Sequence, residues 1–288
     1  MRCSLTNLGC PAWPLDRVFS EAARLGYEGV ELRCLRGRLI SPDMPREDRV
    51  QARRLSAQTG LPIVALGASS AFSSPDAAVR AAQEEDLRGM LEIAAEIGAP
   101  MVRAYGGGLP RAYAQDAARS YGGNLPEGTG EDAVCAYIAE SLDRVAARAR
   151  ELGVLIVVET HDGLSSARLM AKVLGLVAAP EVQALWDVMH PTRMGESPQQ
   201  VWEWIGPRVR HVHFKDARKG ADGRWRAARS GEGEIPLREC LQVLSAAGYA
   251  GWLTLEWEKY WEPDIAEPEV ALPHMIQTAR GWLGALAR

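Results

Sequence analysis

The chain lacks the features that would link it to a nucleic acid, a membrane or a nucleotide cofactor. Its formal net charge is −4, which leaves no electrostatic footprint for nucleic acid. Neither the N-terminus nor any later segment contains an apolar run approaching the roughly 20 residues of a membrane-spanning helix. The glycines at 106–108 follow a strand-like segment but lack the spacing of a P-loop or a dinucleotide fingerprint. These absences predict a cytoplasmic protein with neither a nucleic acid nor a membrane as its partner.

Cysteine is also scarce and is not arranged in a motif. The chain has five cysteines, an odd number, and they are widely spaced with no CxxC pair. This usage is typical of reduced structural thiols in a cytosolic protein and argues against a disulfide framework or a cysteine zinc site. The five are Cys3, Cys10, Cys34, Cys135 and Cys240.

Short apolar strands alternate with helix-period segments along the whole chain, a pattern that predicts a parallel sheet. The predicted strands are 3–8, 29–33, 62–67, 101–105, 155–162, 182–188, 209–215 and 251–257, and the predicted helices are 14–25, 46–59, 75–97, 131–152 and 266–288. The 288 residues suit one barrel, for which about 250 residues is typical. The sequence therefore predicts an α/β fold, a single (β/α)8 TIM barrel over residues 1–288.

The segment 155–162 indicates how the strands deliver polar groups to a site. Its apolar residues, Leu-Ile-Val-Val, run directly into Glu-Thr-His-Asp. An uninterrupted apolar run is typical of a parallel strand that is buried on both faces. Side chains alternate along a strand, so Glu159 and His161 share one face with Val157. Because parallel barrels build their active sites at the carboxyl ends of strands, Glu159 and His161 are candidate site residues.

Three further strand ends carry groups that can bind a metal ion. Asp187, His213 and Glu256 each stand just after an apolar run, as Glu159 does. Three carboxylates with one imidazole suit Mn, Mg, Co or Zn, and the oxygen-rich balance favours Mn or Mg. The sequence predicts one divalent ion, with Mn first, held by Glu159, Asp187, His213 and Glu256.

Two Gly-rich segments interrupt the alternation on the side where the site is expected. Residues 106–130 follow the fourth predicted strand, and residues 215–236 follow the seventh. Long loops at this position are usually functional, so both are candidate lids, with a plain insertion as the alternative for the first.

Five motifs, in order, resemble the xylose isomerase-like superfamily, and within it the sugar phosphate isomerase/epimerase group. They are the run Gly-Tyr-Glu-Gly-Val-Glu-Leu at 26–32, Glu159-Thr-His161, Asp187-Val-Met-His190, His211-Val-His213 and the run ending at Glu256. The resemblance covers essentially the whole chain. It implies that Glu159, Asp187, His213 and Glu256 match the family's metal ligands, that Glu159 and Glu256 match the proton-transferring pair of the ketose epimerases, and that His190 and Arg218 lie near substrate oxygens.

The implied activity is metal-dependent isomerisation or epimerisation of a small-molecule sugar or related polyol, with a homodimer or homotetramer as the expected assembly. Two carboxylates can act as acid and base around a carbon next to a carbonyl that a divalent ion polarises. His161 is a rival base, or an imidazole hydrogen-bonded to a carboxylate. Among the charged groups at strand ends, Lys215 and Arg103 are the further candidates for substrate binding.

Three alternatives stay open. His213 is followed by Asp216 and Arg218 at a spacing that departs from the ketose 3-epimerases, which leaves room for a lyase or dehydratase acting on a keto-sugar, cyclitol or keto acid. An endonuclease IV-like enzyme needs histidines from early strands, and this chain has none before His161. A noncatalytic binding subunit is the third alternative, although the intact ligand set argues against it.

Overall fold

The computed structural model describes residues 1–108 and 129–286, and it confirms the predicted barrel. Eight parallel strands form a closed barrel: β1 (Arg2–Thr6), β2 (Gly29–Leu32), β5 (Ile63–Gly67), β6 (Met101–Ala104), β7 (Leu155–Glu159), β8 (Val182–Asp187), β9 (Val209–Phe214) and β12 (Trp252–Leu255). Their order around the barrel is β1-β12-β9-β8-β7-β6-β5-β2. Each predicted strand overlaps one of these.

The helices that cover the barrel are α1 (Leu15–Leu25), α2 (Arg46–Thr59), α3 (Ala77–Ile97), α4 (Glu131–Leu152), α5 (Ala167–Leu176), α6 (Met189–Arg193), α7 (Pro198–Ile205), α8 (Leu237–Ala246) and α9 (Pro268–Leu286). The Asp76 side chain caps α3 by accepting from the Ala78 N–H, and Gly98 ends it at a φ of 81°. Helices α5 to α8 were not predicted. Among the described residues, no helix is long and apolar enough to cross a membrane.

Two short hairpins follow barrel strands at their carboxyl ends. The first pairs β3 (Cys34–Leu35) with β4 (Arg38–Leu39), and the second pairs β10 (Asp216–Lys219) with β11 (Trp225–Ala228). The second candidate lid, residues 215–236, thus contains an antiparallel hairpin. Most of the first candidate lid, residues 109–128, lies outside the described residues.

The inward faces of the strands carry an apolar layer and a polar layer. A small apolar cluster, separate from the main core between strands and helices, consists of Val64, Ala65, Met101, Val157, Leu185 and Trp252. Trp252 and Leu185 are both register partners of His211, and Ala65 is the register partner of Glu31. The polar groups therefore stand on the same strand faces as this apolar layer and are buried with it.

Gly67, the last residue of β5, gives a test of how tightly the polar layer is packed. A Cβ atom at this position would lie 2.6 Å from Arg33 Cδ and 3.1 Å from Arg103 Nη2. Arg33 Nη1 also donates to the Gly67 carbonyl at 3.0 Å, so its side chain is held in place. We expect Gly67→Ala to lower the free energy of unfolding by about 1–3 kcal/mol, the usual cost of overpacking.

The matched control is Gly175→Ala in α5, where a Cβ would meet no heavy atom within 4 Å. Gly175 is the next-to-last residue of α5, so its replacement by Ala should raise the free energy of unfolding by at most about 0.5–1 kcal/mol, the difference typical of helix interiors. Urea denaturation of both variants measures the difference. Equal midpoints for the two variants would contradict the packing described around Gly67.

Candidate metal centre

Four side chains converge at the carboxyl ends of β7, β8, β9 and β12, which are neighbours in the barrel. Glu159 and Asp187 are the last residues of their strands, His213 is next to last in β9, and Glu256 directly follows β12. One ligand atom from each of the four lies within 4.8 Å of all the others, and all four residues are buried. The cluster brings together the four residues that the sequence indicated as ligands.

The two edges of the His213 ring face carboxylates. Nδ1 lies 3.1 Å from Glu159 Oε1 and 3.6 Å from Glu256 Oε1, while Nε2 lies 3.1 Å and 3.2 Å from the two oxygens of Glu31. Burial disfavours the charged imidazole, but Glu31, Glu256 and Glu159 outweigh it and raise the pKa of His213 well above its ordinary value.

The His213 contacts provide a test of whether the residues fit a metal ion. Carboxylate oxygens only accept, so each ring edge that faces them requires a proton or a metal ion. Three carboxylates and one imidazole form a donor set that suits a divalent cation. The site therefore fits a divalent ion at the Nδ1 edge, where it would replace the proton.

Lys215 supplies a second positive charge within the cluster. Its Nζ atom lies 2.9 Å from Asp187 Oδ2, 2.7 Å from Glu256 Oε2 and 2.6 Å from Glu258 Oε1. Burial opposes the ammonium form, but these carboxylates outweigh it and raise the pKa of Lys215 well above its ordinary value. Lys215, expected from sequence to bind substrate, therefore contacts two of the candidate ligand carboxylates, Asp187 and Glu256, and also Glu258.

Arg103 is also held close to a candidate ligand carboxylate, that of Glu159. Its Nε atom lies 3.3 Å from Glu159 Oε2, its guanidinium is 4.0 Å from the centre of the Tyr105 ring, and the residue is only 2% exposed. Burial raises the pKa of Glu159, but Arg103 and then His213 outweigh it and hold that pKa well below its usual range. Glu159 is therefore ionised at neutral pH and able to bind a cation or accept a proton.

Two further histidines form a wall beside the cluster. The rings of His161 and His190 are 4.3 Å apart, and His161 also packs on Tyr105 at 4.7 Å. His161 Nδ1 lies 3.1 Å from Asp162 Oδ1, and His190 Nε2 lies 3.7 Å from Asp187 Oδ2. Burial disfavours charge on both rings. For His161, the attraction of the Asp162 carboxylate outweighs burial and raises the pKa. For His190, burial and the repulsion from His161 together hold the pKa well below its ordinary value.

Arg218, expected from sequence near substrate oxygens, is not part of this cluster. It belongs to β10 and lines a cavity of about 380 Å³ together with Arg226 and Trp257, and none of the four candidate ligands lines that cavity. Its guanidinium donates to the Glu232 carbonyl.

Two residues of the site were missed from the sequence. Glu31 accepts from two histidines, His211 and His213. Glu258 accepts a hydrogen bond from the Lys215 ammonium. Strand alternation could have placed both side chains on the inward face of the barrel. Glu31 lies on the inward face of β2, and Glu258 stands two residues beyond Glu256.

Comparison with known proteins identifies the family. The family profile described as "Xylose isomerase-like TIM barrel" matches residues 19–283. The chain belongs to this family. Fructoselysine 3-epimerase of Escherichia coli O157:H7 is 23% identical over 261 residues, which are 89% of this chain and 90% of that one. Inosose dehydratase of Lacticaseibacillus casei is 28% identical over 147 residues, which are 46% and 49% of the two chains.

Solved structures share the same barrel. The crystal structure of a D-tagatose 3-epimerase-like protein has a TM-score of 0.75 at 17% identity, with 100% of this chain and 98% of that one covered. A structure of IOLI protein with a zinc atom has a TM-score of 0.73 at 16% identity, with 99% and 98% covered. The resemblance to the xylose isomerase-like superfamily and the TIM barrel, both predicted from sequence, are confirmed.

The raised pKa of His213 leads to a prediction about metal binding in this family member. The proton on Nδ1 must leave when an ion binds there, so the apparent association constant should rise with pH, by about tenfold per unit below that pKa. Calorimetric titration with Zn²⁺ in buffers of different ionisation enthalpy should detect about one proton released per ion near neutral pH. Binding that is independent of pH and releases no proton would contradict the contacts described for Nδ1.

Proposed function

We propose that this protein is a divalent-metal-dependent epimerase or isomerase of a sugar or related polyol. The observation that carries the proposal is the convergence of Glu159, Asp187, His213 and Glu256 donor atoms within 4.8 Å at the carboxyl ends of neighbouring barrel strands. The epimerase named among its relatives aligns over 89% of the chain, which supports this reaction class.

The proposed ligands are carboxylate oxygens of Glu159, Asp187 and Glu256 together with Nδ1 of His213. Mn is the first candidate ion, with Mg, Co and Zn as alternatives, because oxygen donors dominate the set. When bound, the ion polarises a substrate carbonyl and makes the neighbouring C–H bond more acidic.

Proton transfer is assigned to Glu159 and Glu256. Arg103 keeps Glu159 ionised, so its carboxylate can accept a proton from carbon, and Glu256 can return a proton from the other side of the cluster. His161, whose pKa the neighbouring Asp162 raises against the effect of burial, is the rival acid/base group.

The binding of substrate oxygens is assigned to the polar groups around the cluster. His190 is neutral and buried, and its Nε2 has no hydrogen-bond partner among the described residues. Arg103 Nη1, a buried donor beside Glu159, also has no hydrogen-bond partner among the described residues. Buried polar groups of this kind bind hydroxyl oxygens selectively, since leaving them unpaired is costly. Arg218 remains a predicted contact for a part of the substrate outside the cluster.

A dehydratase is the second candidate, and Lys215 is the observation that favours it. Elimination requires a proton for the departing hydroxyl group, and the Lys215 ammonium lies 2.7 Å from Glu256, one of the two proposed proton carriers. Inosose dehydratases are among the relatives, over about half of their length.

One experiment separates the two reactions. The protein is incubated in D₂O with Mn²⁺ and a panel of ketoses, aldoses and inososes, and products are followed by NMR and mass spectrometry. Epimerisation or isomerisation exchanges a carbon-bound hydrogen for solvent deuterium and loses no atoms from the sugar, whereas dehydration removes one molecule of water. Activity on no member of the panel, with the ion bound, would contradict the proposal.

A further inference from the structure

Glu31 lies beneath the metal cluster, where it contacts two histidines. Its Oε2 atom lies 2.8 Å from His211 Nε2 and 3.1 Å from His213 Nε2, and its Oε1 atom lies 3.2 Å from His213 Nε2. Glu31 is 1% exposed and both histidines are fully buried. A buried carboxylate is costly unless it is paired, so these contacts account for its presence.

The direction of these hydrogen bonds follows from the chemistry of the carboxylate. An ionised carboxylate only accepts, so both histidines donate to Glu31 through Nε2–H. His213 then presents Nδ1, its other nitrogen, to Glu159 and Glu256 at the mouth of the barrel. His211 Nε2 also lies 2.9 Å from Thr254 Oγ1, which in turn lies 2.7 Å from Ser4 Oγ.

We propose that Glu31 is a positioning residue that holds the metal ligand His213 in the Nε2–H tautomer with Nδ1 directed at the ion. His211, Thr254 and Ser4 form the hydrogen-bonded column that holds Glu31 in its turn. This inference rests on the metal site of the proposed function and adds a residue that does not touch the ion. A carboxylate that accepts from the distal N–H of a ligand histidine orients the ring and makes it a stronger donor.

A second cation bound by Glu31, His211 and His213 is the competing interpretation, because these three groups also lie within 4.8 Å of one another. A neutral imidazole has a single lone pair for a metal. If Nδ1 of His213 binds an ion above, Nε2 can bind another below only as a fully deprotonated ring. Two hydrogen bonds to a carboxylate explain the same distances without that requirement.

The tautomer can be read directly in the wild-type protein. The chain contains five histidines, so ¹⁵N-histidine labelling gives a small set of ring signals to assign. With one equivalent of Zn²⁺, we expect His213 to keep its Nε2 proton while Nδ1 shifts to the metal-bound position. Coordination through Nε2, or the uptake of two zinc ions per chain, would overturn the inference.

Variants at Glu31 test the effect on the ion. Glu31→Gln should weaken Zn²⁺ binding by about 10–100-fold, the usual consequence of removing such a partner. Glu31→Asp keeps the charge and should fall between Glu31→Gln and the wild type. The matched control is Glu84→Gln, which removes a buried carboxylate that pairs with Arg144 on the outer helices and should bind Zn²⁺ as the wild type does. Unchanged affinity in Glu31→Gln would contradict the role.

The outcomes also separate this inference from the proposed reaction. A protein that binds Zn²⁺ through Nδ1 of His213 but converts no sugar would contradict the proposed reaction and leave the role of Glu31 intact. An active epimerase whose His213 binds through Nε2 would do the opposite. No metal binding by the wild type would overturn both.

Discussion

Glu159→Gln and Glu256→Gln variants should each lose about 10²–10⁴-fold in kcat, the range that a positioned acid or base contributes. The amide can neither accept nor deliver the proton at carbon, yet it keeps the shape of the side chain. Glu159 is available as the base because Arg103, whose Nε lies 3.3 Å away, keeps its carboxylate ionised. Solvent deuterium incorporation should decline together with turnover.

Metal content must be measured alongside, because both carboxylates also belong to the proposed ligand set. Excess Mn²⁺ should restore occupancy in the variants without restoring kcat. Glu181→Gln, which removes a carboxylate paired with Arg150 outside the metal cluster, is the matched control and should keep wild-type turnover. Full activity in either active-site variant with the ion bound would remove that residue from the proton path.

His213→Ala should have the largest effect on the metal centre. The substitution removes the imidazole between Glu159, Glu256 and Glu31 and leaves buried carboxylates without their shared cation. Breaking a buried pair costs about 3–5 kcal/mol, so the metal-free variant should unfold at a clearly lower urea concentration. It should also retain no divalent ion after dialysis, as measured by elemental analysis.

His274→Ala is the matched histidine control. His274 lies in α9, where its Nε2 is 3.0 Å from the Ser230 carbonyl and outside the metal cluster. The control should bind one ion and unfold close to the wild type. A His213→Ala protein that still holds one ion per chain would show that the ligand set has been assigned to the wrong residues.

The fold could be predicted because its strands are short, apolar and separated by helix-period segments. The predicted helices 14–25, 46–59 and 75–97 are each followed by a glycine, and Gly26, Gly60 and Gly98 end α1, α2 and α3 in the left-handed conformation. The short helices α5 to α8 escaped prediction. Of these, α6 spans only the five residues Met189–Arg193, too short for a helical period to emerge from the sequence.

The candidate ligands could be singled out because strand ends of a parallel barrel meet at one edge, whatever the side-chain details. Contacts between side chains from distant strands could not be read in the same way. Glu31 is separated from His211 by 180 positions, and nothing local in the sequence indicates that pairing. The cavity that Arg218 lines with Arg226 and Trp257 could likewise not be read from the sequence, because it depends on how the hairpin folds.

The most direct test of the metal centre is an anomalous difference map from crystals of the wild-type protein grown with Mn²⁺. We expect one peak per chain, bounded by Glu159, Asp187, His213 Nδ1 and Glu256, with Glu31 still on the Nε2 side of the ring. A peak bound instead by Glu31 and His211, or no peak at the carboxyl ends of these strands, would contradict the account.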